Sequence, residues 1–269
     1  MKKTFCGHRP LPGLLLASAL TLLAGCATTG SSGTNVTASD STRMTKSGFL
    51  SNYAKLKPAA VGDGLECWRK PNLNAQNYKQ AMFSRIVVSL APQKNAEEQE
   101  MIDPSDLKTL TDYFHGAMVK AMKPQMPVVE QAGAGVVVIR VALTNLVPTK
   151  VSRSIGGTLI PFGFVAEAGS GVATGRPVGS TPYLGETSME MQFLDGASGD
   201  VLAECRDTQI GRKYAAEVNS GADGAATTWA NGYLSSFQAW SYAKNAFDKW
   251  AMLLAKRFGQ LRDEQVKAE

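Results

Sequence analysis

The chain has 269 residues, 44% of them hydrophobic, with 28 basic against 23 acidic side chains. That length is ample for one buried core. Lys2, Lys3 and Arg9 supply three of the 28 positive charges, so the balance beyond residue 25 is close to neutral. No polybasic block remains, which argues against nucleic acid as the main partner.

The charged start is followed by an apolar run from Leu14 to Gly25, broken only by Ser18 and Thr21. This is the pattern of a signal peptide over residues 1–25, and the run is too short to cross a bilayer as a helix. It ends in Leu23-Ala24-Gly25-Cys26, which resembles the lipobox of bacterial lipoproteins. The resemblance implies cleavage before Cys26, acylation of its sulfur and new amine, and a membrane as partner. Each buried methylene contributes roughly 0.8 kcal/mol, and one chain anchors only marginally, so two or three chains are needed to hold the protein. An aspartate after the cysteine commonly retains such proteins in the inner membrane. Ala27 stands there instead, so the implied location is the outer membrane, with the domain facing the periplasm.

Residues 26–47 are rich in Ser, Thr and Gly and read as a lipidated flexible tether. Residues 48–265 then read as a single globular domain. Phe49, Leu50, Tyr53, Leu56 and Pro58 form a lead-in packed on the domain edge, with Trp68 as an anchor. Met82 to Leu90, with Ile86, Val87 and Val88, reads as a strand. Asp103-Pro104-Ser105-Asp106 offers a cap, a proline at the first helical position and an acid in the first turn. Leu107, Leu110, Phe114, Met118 and Met122 follow at helical spacing until Pro124 stops them.

Val136 to Val147 is apolar on both faces, as a central strand would be. Residues 150–185 carry eight glycines, all between 155 and 185, together with Ile155, Leu159, Ile160, Phe162, Phe164 and Val165. They read as an apolar glycine-rich loop that either folds over the sheet or touches a bilayer or partner. Glu190 to Leu194 and Val201 to Thr208 flank the turn residues Asp195 to Asp200 as a hairpin. A last helix spans about Phe237 to Gln265, with Trp240, Phe247, Trp250, Leu254 and Phe258 on one stripe. The expected fold is an α/β (α+β) sandwich in the order β-α-β-β-β-α. It has a mixed central sheet of four or more strands, two main helices and a glycine-rich insertion.

Gly48-Phe49-Leu50-Ser51-Asn52-Tyr53-Ala54-Lys55-Leu56 and Met189-Glu190-Met191-Gln192-Phe193-Leu194-Asp195, behind a lipobox and polar tether, resemble bacterial lipoproteins of domain-of-unknown-function family 3313. That resemblance covers most of the chain and implies no established activity. The element order also resembles periplasmic modules of curli-secretion and penicillin-binding-protein activator lipoproteins, as fold analogy only.

Of the four cysteines, Cys6 leaves with the signal and Cys26 is acylated, so Cys67 and Cys205 are the only possible pair. An oxidising periplasm permits a bridge, but two separately buried thiols read equally well. His115 is the single histidine after the signal, with no His or Cys at helical spacing for a metal, and no Gly-x-Ser-x-Gly elbow accompanies it. Gly169 to Gly175 superficially resembles a dinucleotide loop, but no helix is expected to open after it. Glu186, Glu190, Asp195 and Asp200 lie near one hairpin, where charges are usually solvated, although glycosidases need only two carboxyls. No catalytic, cofactor-binding or metal-ligating residue is assigned. The leading reading is a non-catalytic envelope lipoprotein that binds another envelope protein or assists assembly. The alternative is a homo-oligomeric secretion- or pore-like lipoprotein with a membrane-touching loop, and an enzyme comes third.

Overall fold

The computed structural model describes residues 36–59, 64–90, 102–159, 163–216 and 221–266. Cys26, the expected signal peptide and most of the expected tether lie outside them, as do Ile160 and Phe162. Among the described residues there are eight strands: β1 (Thr37–Ser39), β2 (Lys57–Pro58), β3 (Glu66–Arg69), β4 (Gln80–Phe83), β5 (Val87–Val88), β6 (Val136–Val147), β7 (Glu186–Asp195) and β8 (Val201–Gly211). The helices are α1 (Pro104–Met122), α2 (Val151–Leu159), α3 (Gly163–Ala173), α4 (Gly221–Ser235) and α5 (Ser241–Val266).

All eight strands form one mixed sheet in the order β2-β3-β8-β7-β6-β4. Along β8, β3 pairs with the first half and β1 with the last residues. Along β6, β4 and β5 share the outer edge in the same way, both parallel to it. The remaining pairs are antiparallel. This is the expected α+β sandwich: β4, α1 and β6 form the parallel crossover, and β7 and β8 the hairpin.

Local chemistry accounts for the firmest elements. The Asp103 carboxylate accepts the Ser105 N–H at 2.7 Å, Pro104 opens α1, and the helix ends before Pro124. Its buried face presents Leu110, Phe114, Met118 and Met122 at four-residue spacing. That face packs on α5, where the Phe114 and Phe247 rings stack at 4.5 Å. Together the two helices cover one sheet face, burying Ile139, Val141, Leu143, Met189 and Met191.

Four expectations change. Residues 36–47 are not tether: β1 pairs with β8, and Val36 is fully buried. The strand expected over Met82 to Leu90 breaks into β4 and β5 because Ile86 turns into the core while Val87 is exposed. The loop expected over 150–185 contains α2 and α3, and Gly169 and Gly171 sit inside α3. The last helix starts at Ser241, since residues 233–238 close successive tight turns instead. No helix among the described residues is long and apolar enough to cross a membrane.

Candidate functional site

The sheet face turned away from α1 and α5 is polar. Cross-strand pairing puts Glu190 beside Arg206, and Gln192 beside both Arg140 and Glu204. In β3, Glu66 and Trp68 extend the same face. A bare polar face of this kind would be wet. Here residues 40–56 lie across it as a strap.

The strap leaves β1 and runs outward to β6, where the Thr45 and Thr144 hydroxyls meet at 2.5 Å. It returns over β7, where Ser47 donates its backbone N–H and its hydroxyl to Glu190 at 2.9 and 2.8 Å. The Tyr53 hydroxyl donates to the same carboxylate at 2.7 Å. Over β8, Ser51 donates its N–H and hydroxyl to Glu204 at 2.6 and 2.9 Å. Cations complete the layer: Arg140 lies under the Phe49 ring, Arg206 under Tyr53, and Lys55 over Trp68. Arg206 also pairs with Glu66 at 2.6 Å. Glu190 and Glu204 are fully buried. A buried carboxylate needs donors or cations, and the strap's amides and hydroxyls supply them.

Two further carboxylates are buried in the sheet, Glu186 on this face and Asp207 on the other. Glu186 receives the Asn145 amide at 2.8 Å, with Arg43 and Arg176 within 3.4 and 3.5 Å. Desolvation still pushes its carboxyl up, against the pull of both arginines. Asp207 faces the helices. Its carboxylate accepts hydrogen bonds from the Ser39 hydroxyl, the Trp250 indole at 2.8 Å and the Gln209 amide at 2.6 Å. Burial again dominates and raises its carboxyl. Glu204 goes the other way: desolvation is opposed and outweighed by Ser51 and Gln192, which hold it below the usual range.

Cys67 and Cys205 face each other across the β3–β8 pair, joined as a disulfide with Cα atoms 4.1 Å apart. The alternative of two separate thiols does not describe this structure.

The opposite ends of the sheet differ sharply. At one end, β7 and β8 close in a turn where Ala197 and Ser198 donate N–H groups to Asp195. At the other, β6 ends and β7 begins around α2 and α3, and β8 runs out toward α4. A fully buried lysine ties this insertion end together. Lys213 Nζ donates to Glu167 of α3 at 2.9 and 3.1 Å and to the Ser154 carbonyl of α2 at 2.9 Å. The Tyr214 hydroxyl also donates to Glu167, and burial with that carboxylate pushes the phenol well up. The Tyr233 and Phe237 rings stand 5.6 and 5.9 Å from the ammonium. This buried pair gives an account of α2 and α3 that glycine content alone conceals. Gly171 allows the approach: a Cβ there would run into the Ser180 carbonyl.

The residues weighed for chemistry are therefore separated and engaged. Glu186 and Glu190 are held as described, Asp195 caps the hairpin turn and accepts from Tyr78 at 2.9 Å, and Asp200 pairs with Lys70 at 3.4 Å. His115 sits half-buried on α1, edge-on to Phe83 at 6.1 Å. Among the described residues, no group of three His, Cys, Asp or Glu side chains is placed to hold a metal. Glu167, Glu204, Asp207, Arg206 and Lys213 were not singled out from the sequence. For Glu204 and Arg206 the available signal was alternation, as in Met189-Glu190-Met191-Gln192, which sets polar side chains on one face of a buried strand.

Residues 45–254 match the profile of a protein family described as "Protein of unknown function (DUF3313)". The chain belongs to this family. The matched region of the DUF3313 chain opens within the strap and closes within α5, so it takes in the contacts of Ser47, Ser51 and Tyr53 with Glu190 and Glu204. No curated protein matches it. Among solved structures, a PelC dodecamer from Paraburkholderia phytofirmans is 12% identical, covering 65% of this chain and 96% of that one, with a TM-score of 0.30. A Xanthomonas campestris protein of family DUF330 is 10% identical, covering 74% and 94%, with a TM-score of 0.34. Likeness at this level carries no argument about activity or assembly of the DUF3313 domain.

Proposed function

We propose that this DUF3313 protein is a non-catalytic lipoprotein of the cell envelope. Acylated Cys26 anchors it to the outer membrane, and the sheet-and-strap domain serves in the periplasm as a binding or assembly module for another envelope protein. The observation that carries the anchor is the sequence Leu23-Ala24-Gly25-Cys26 behind a short apolar run. Two structural features support the setting. Val36, ten residues beyond Cys26, is already fully buried, so little chain separates that cysteine from the folded domain. The Cys67–Cys205 disulfide suits an oxidising compartment.

The non-catalytic part rests on how the carboxylates are used. Glu186, Glu190, Asp195, Glu204 and Asp207 all accept hydrogen bonds from structural donors within the domain. A general acid or base needs instead a carboxyl aimed at open space where a substrate can sit.

The test is Cys26→Ala in the native host, followed by membrane fractionation and mass spectrometry of the amino terminus. The expected result is an unacylated protein lost from the membrane fraction. Equal lipid content and membrane retention in the variant would refute the anchor. In-cell crosslinking of the wild type then identifies the partner: capture of a distinct envelope protein supports the module, and ladders of the chain with itself favour a homo-oligomer.

A further inference from the structure

Among the described residues, the four most exposed large apolar side chains are Val178 at 70%, Leu234 at 61%, Val172 at 56% and Trp229 at 48%. All four belong to the segments that leave the sheet at the insertion end. Val172 is on α3, Val178 follows it, and Trp229 and Leu234 are on α4. Soluble surfaces do not normally gather their most exposed apolar side chains in one region.

Val36, just before β1, lies at this end as well. The Val36 carbonyl accepts the Arg212 N–H at 2.8 Å, and Val36 packs with Leu184 and the Tyr242 ring. Arg212 Nε in turn donates to the Val178 carbonyl at 2.8 Å, and the Tyr242 hydroxyl donates to the Gly232 carbonyl of α4 at 2.9 Å. Val36, the Val178 loop and α4 are thus linked through Arg212 and Tyr242.

We infer that this end of the domain is seated on a lipid bilayer, with Val172, Val178, Trp229 and Leu234 in the interfacial layer. The inference deepens the proposed function and rests on its anchor. Ten residues from Cys26 to Val36 reach at most ~33–36 Å even fully extended. The hairpin turn at Asp195 lies a further ten-residue strand away, ~33 Å along β7. The leash joins the domain at the insertion end, and the apolar side chains occupy that same end. Tryptophan, with an apolar ring and a polar N–H, is suited to the interface between headgroups and acyl chains. A second protein copy seated there would have to share the space between the anchor and the domain.

The test uses the mature acylated protein with its disulfide intact, carrying Trp229→Cys or Leu234→Cys, and Ala197→Cys at the hairpin turn as the control. Each new thiol is labelled with an environment-sensitive fluorophore. The protein is reconstituted into phosphatidylethanolamine–phosphatidylglycerol vesicles with or without nitroxide lipids. The expected result is a blue shift at positions 229 and 234, with quenching by nitroxide lipids several-fold stronger than at 197. Vesicle flotation is read on the same samples. Flotation with labels at 229 and 234 as wet as at 197 overturns the seating alone. A blue shift without lipid quenching means that protein covers the patch, and also overturns it. Failure to float overturns the anchor together with the seating.

Discussion

Glu190 and Ser47 are joined twice: one carboxylate, wholly buried in β7, takes both the backbone N–H and the hydroxyl of Ser47 in the strap. With Tyr53 on the same carboxylate, this is the fastening that holds the strap against the polar face. Glu190→Ala strands three donors in a dry layer and leaves a void, so a loss of about 2–4 kcal/mol is expected. Glu190→Gln keeps one acceptor, and the two hydroxyls can turn to accept, so its loss is expected to be about half as large. Urea unfolding gives the stabilities. Limited proteolysis between residues 44 and 56 reports whether the strap lifts first. Equal stability of all three proteins would show that the fastening is idle.

A buried acid that resists ionisation makes stability depend on pH in the unusual direction. Burial raises the Asp207 carboxyl, so the folded state holds its proton over a range where the unfolded chain has released it. Its contribution is present below the unfolded value, ~3.9, and is lost as pH rises through the folded value. Glu186 acts in the same sense, while Glu204 and Asp195, held low, add stability as pH rises through their own lower range. The contribution of Asp207 and Glu186 is therefore expected to be greatest in acidic buffer and to decline as pH rises. Asp207→Asn should flatten that decline while lowering stability throughout, because its amide N–H₂ confronts either the Trp250 and Gln209 donors together or the Thr208 N–H. Unfolding free energies across pH measure both effects, and an undiminished slope in the variant would reject this assignment.

The Cys67–Cys205 bridge fastens β3, and through it β2, to the body of the sheet. The two cysteines are 138 residues apart, so reduction frees a long loop in the unfolded chain. Cys67→Ala and Cys67→Ala/Cys205→Ala are each expected to cost about 2–5 kcal/mol relative to the oxidised protein. Reductant should lower the melting temperature of the wild type and leave the double variant unmoved. A wild type indifferent to reductant would mean that the bridge contributes nothing to the fold.

What could be read from the chain beforehand follows from how each element is stabilised. Asp103 and Pro104 declare the start of α1, and the apolar run of β6 and the Asp195–Asp200 turn declare their elements, because those signals are local. The strap is stabilised by groups far away in sequence: Ser47 finds Glu190, and Ser51 finds Glu204, 153 residues on. Serine-rich chain therefore reads as tether until its acceptors are seen. Glycine misleads in the same way at α3 and α4. Gly232 looks like a helix breaker, yet a Cβ there would press on the Arg212 carbonyl at 2.7 Å, so the close docking of α4 requires it. The four exposed apolar side chains were equally hidden, since periodicity cannot separate a buried valine from an exposed one in short glycine-rich helices.

Lys213 and Glu167 offer the sharpest test of why the insertion is ordered. Lys213→Met removes the cation and leaves Glu167 buried with only the Tyr214 hydroxyl and its immediate surroundings to compensate. Breaking one side of a buried pair typically costs about 3–5 kcal/mol, far more than an exposed pair. Removing both charges in Lys213→Met/Glu167→Leu takes away the unpaired carboxylate as well, so much of that loss should return. Hydrogen exchange localises the effect. In Lys213→Met, amides of α3 should exchange faster, while those of β6 keep their protection, because the lysine joins the insertion to β8 and leaves the β6–β7 ladder intact. If the double variant is no more stable than the single one, the lysine acts through its packing against Tyr233 and Phe237 and the ion pair is incidental.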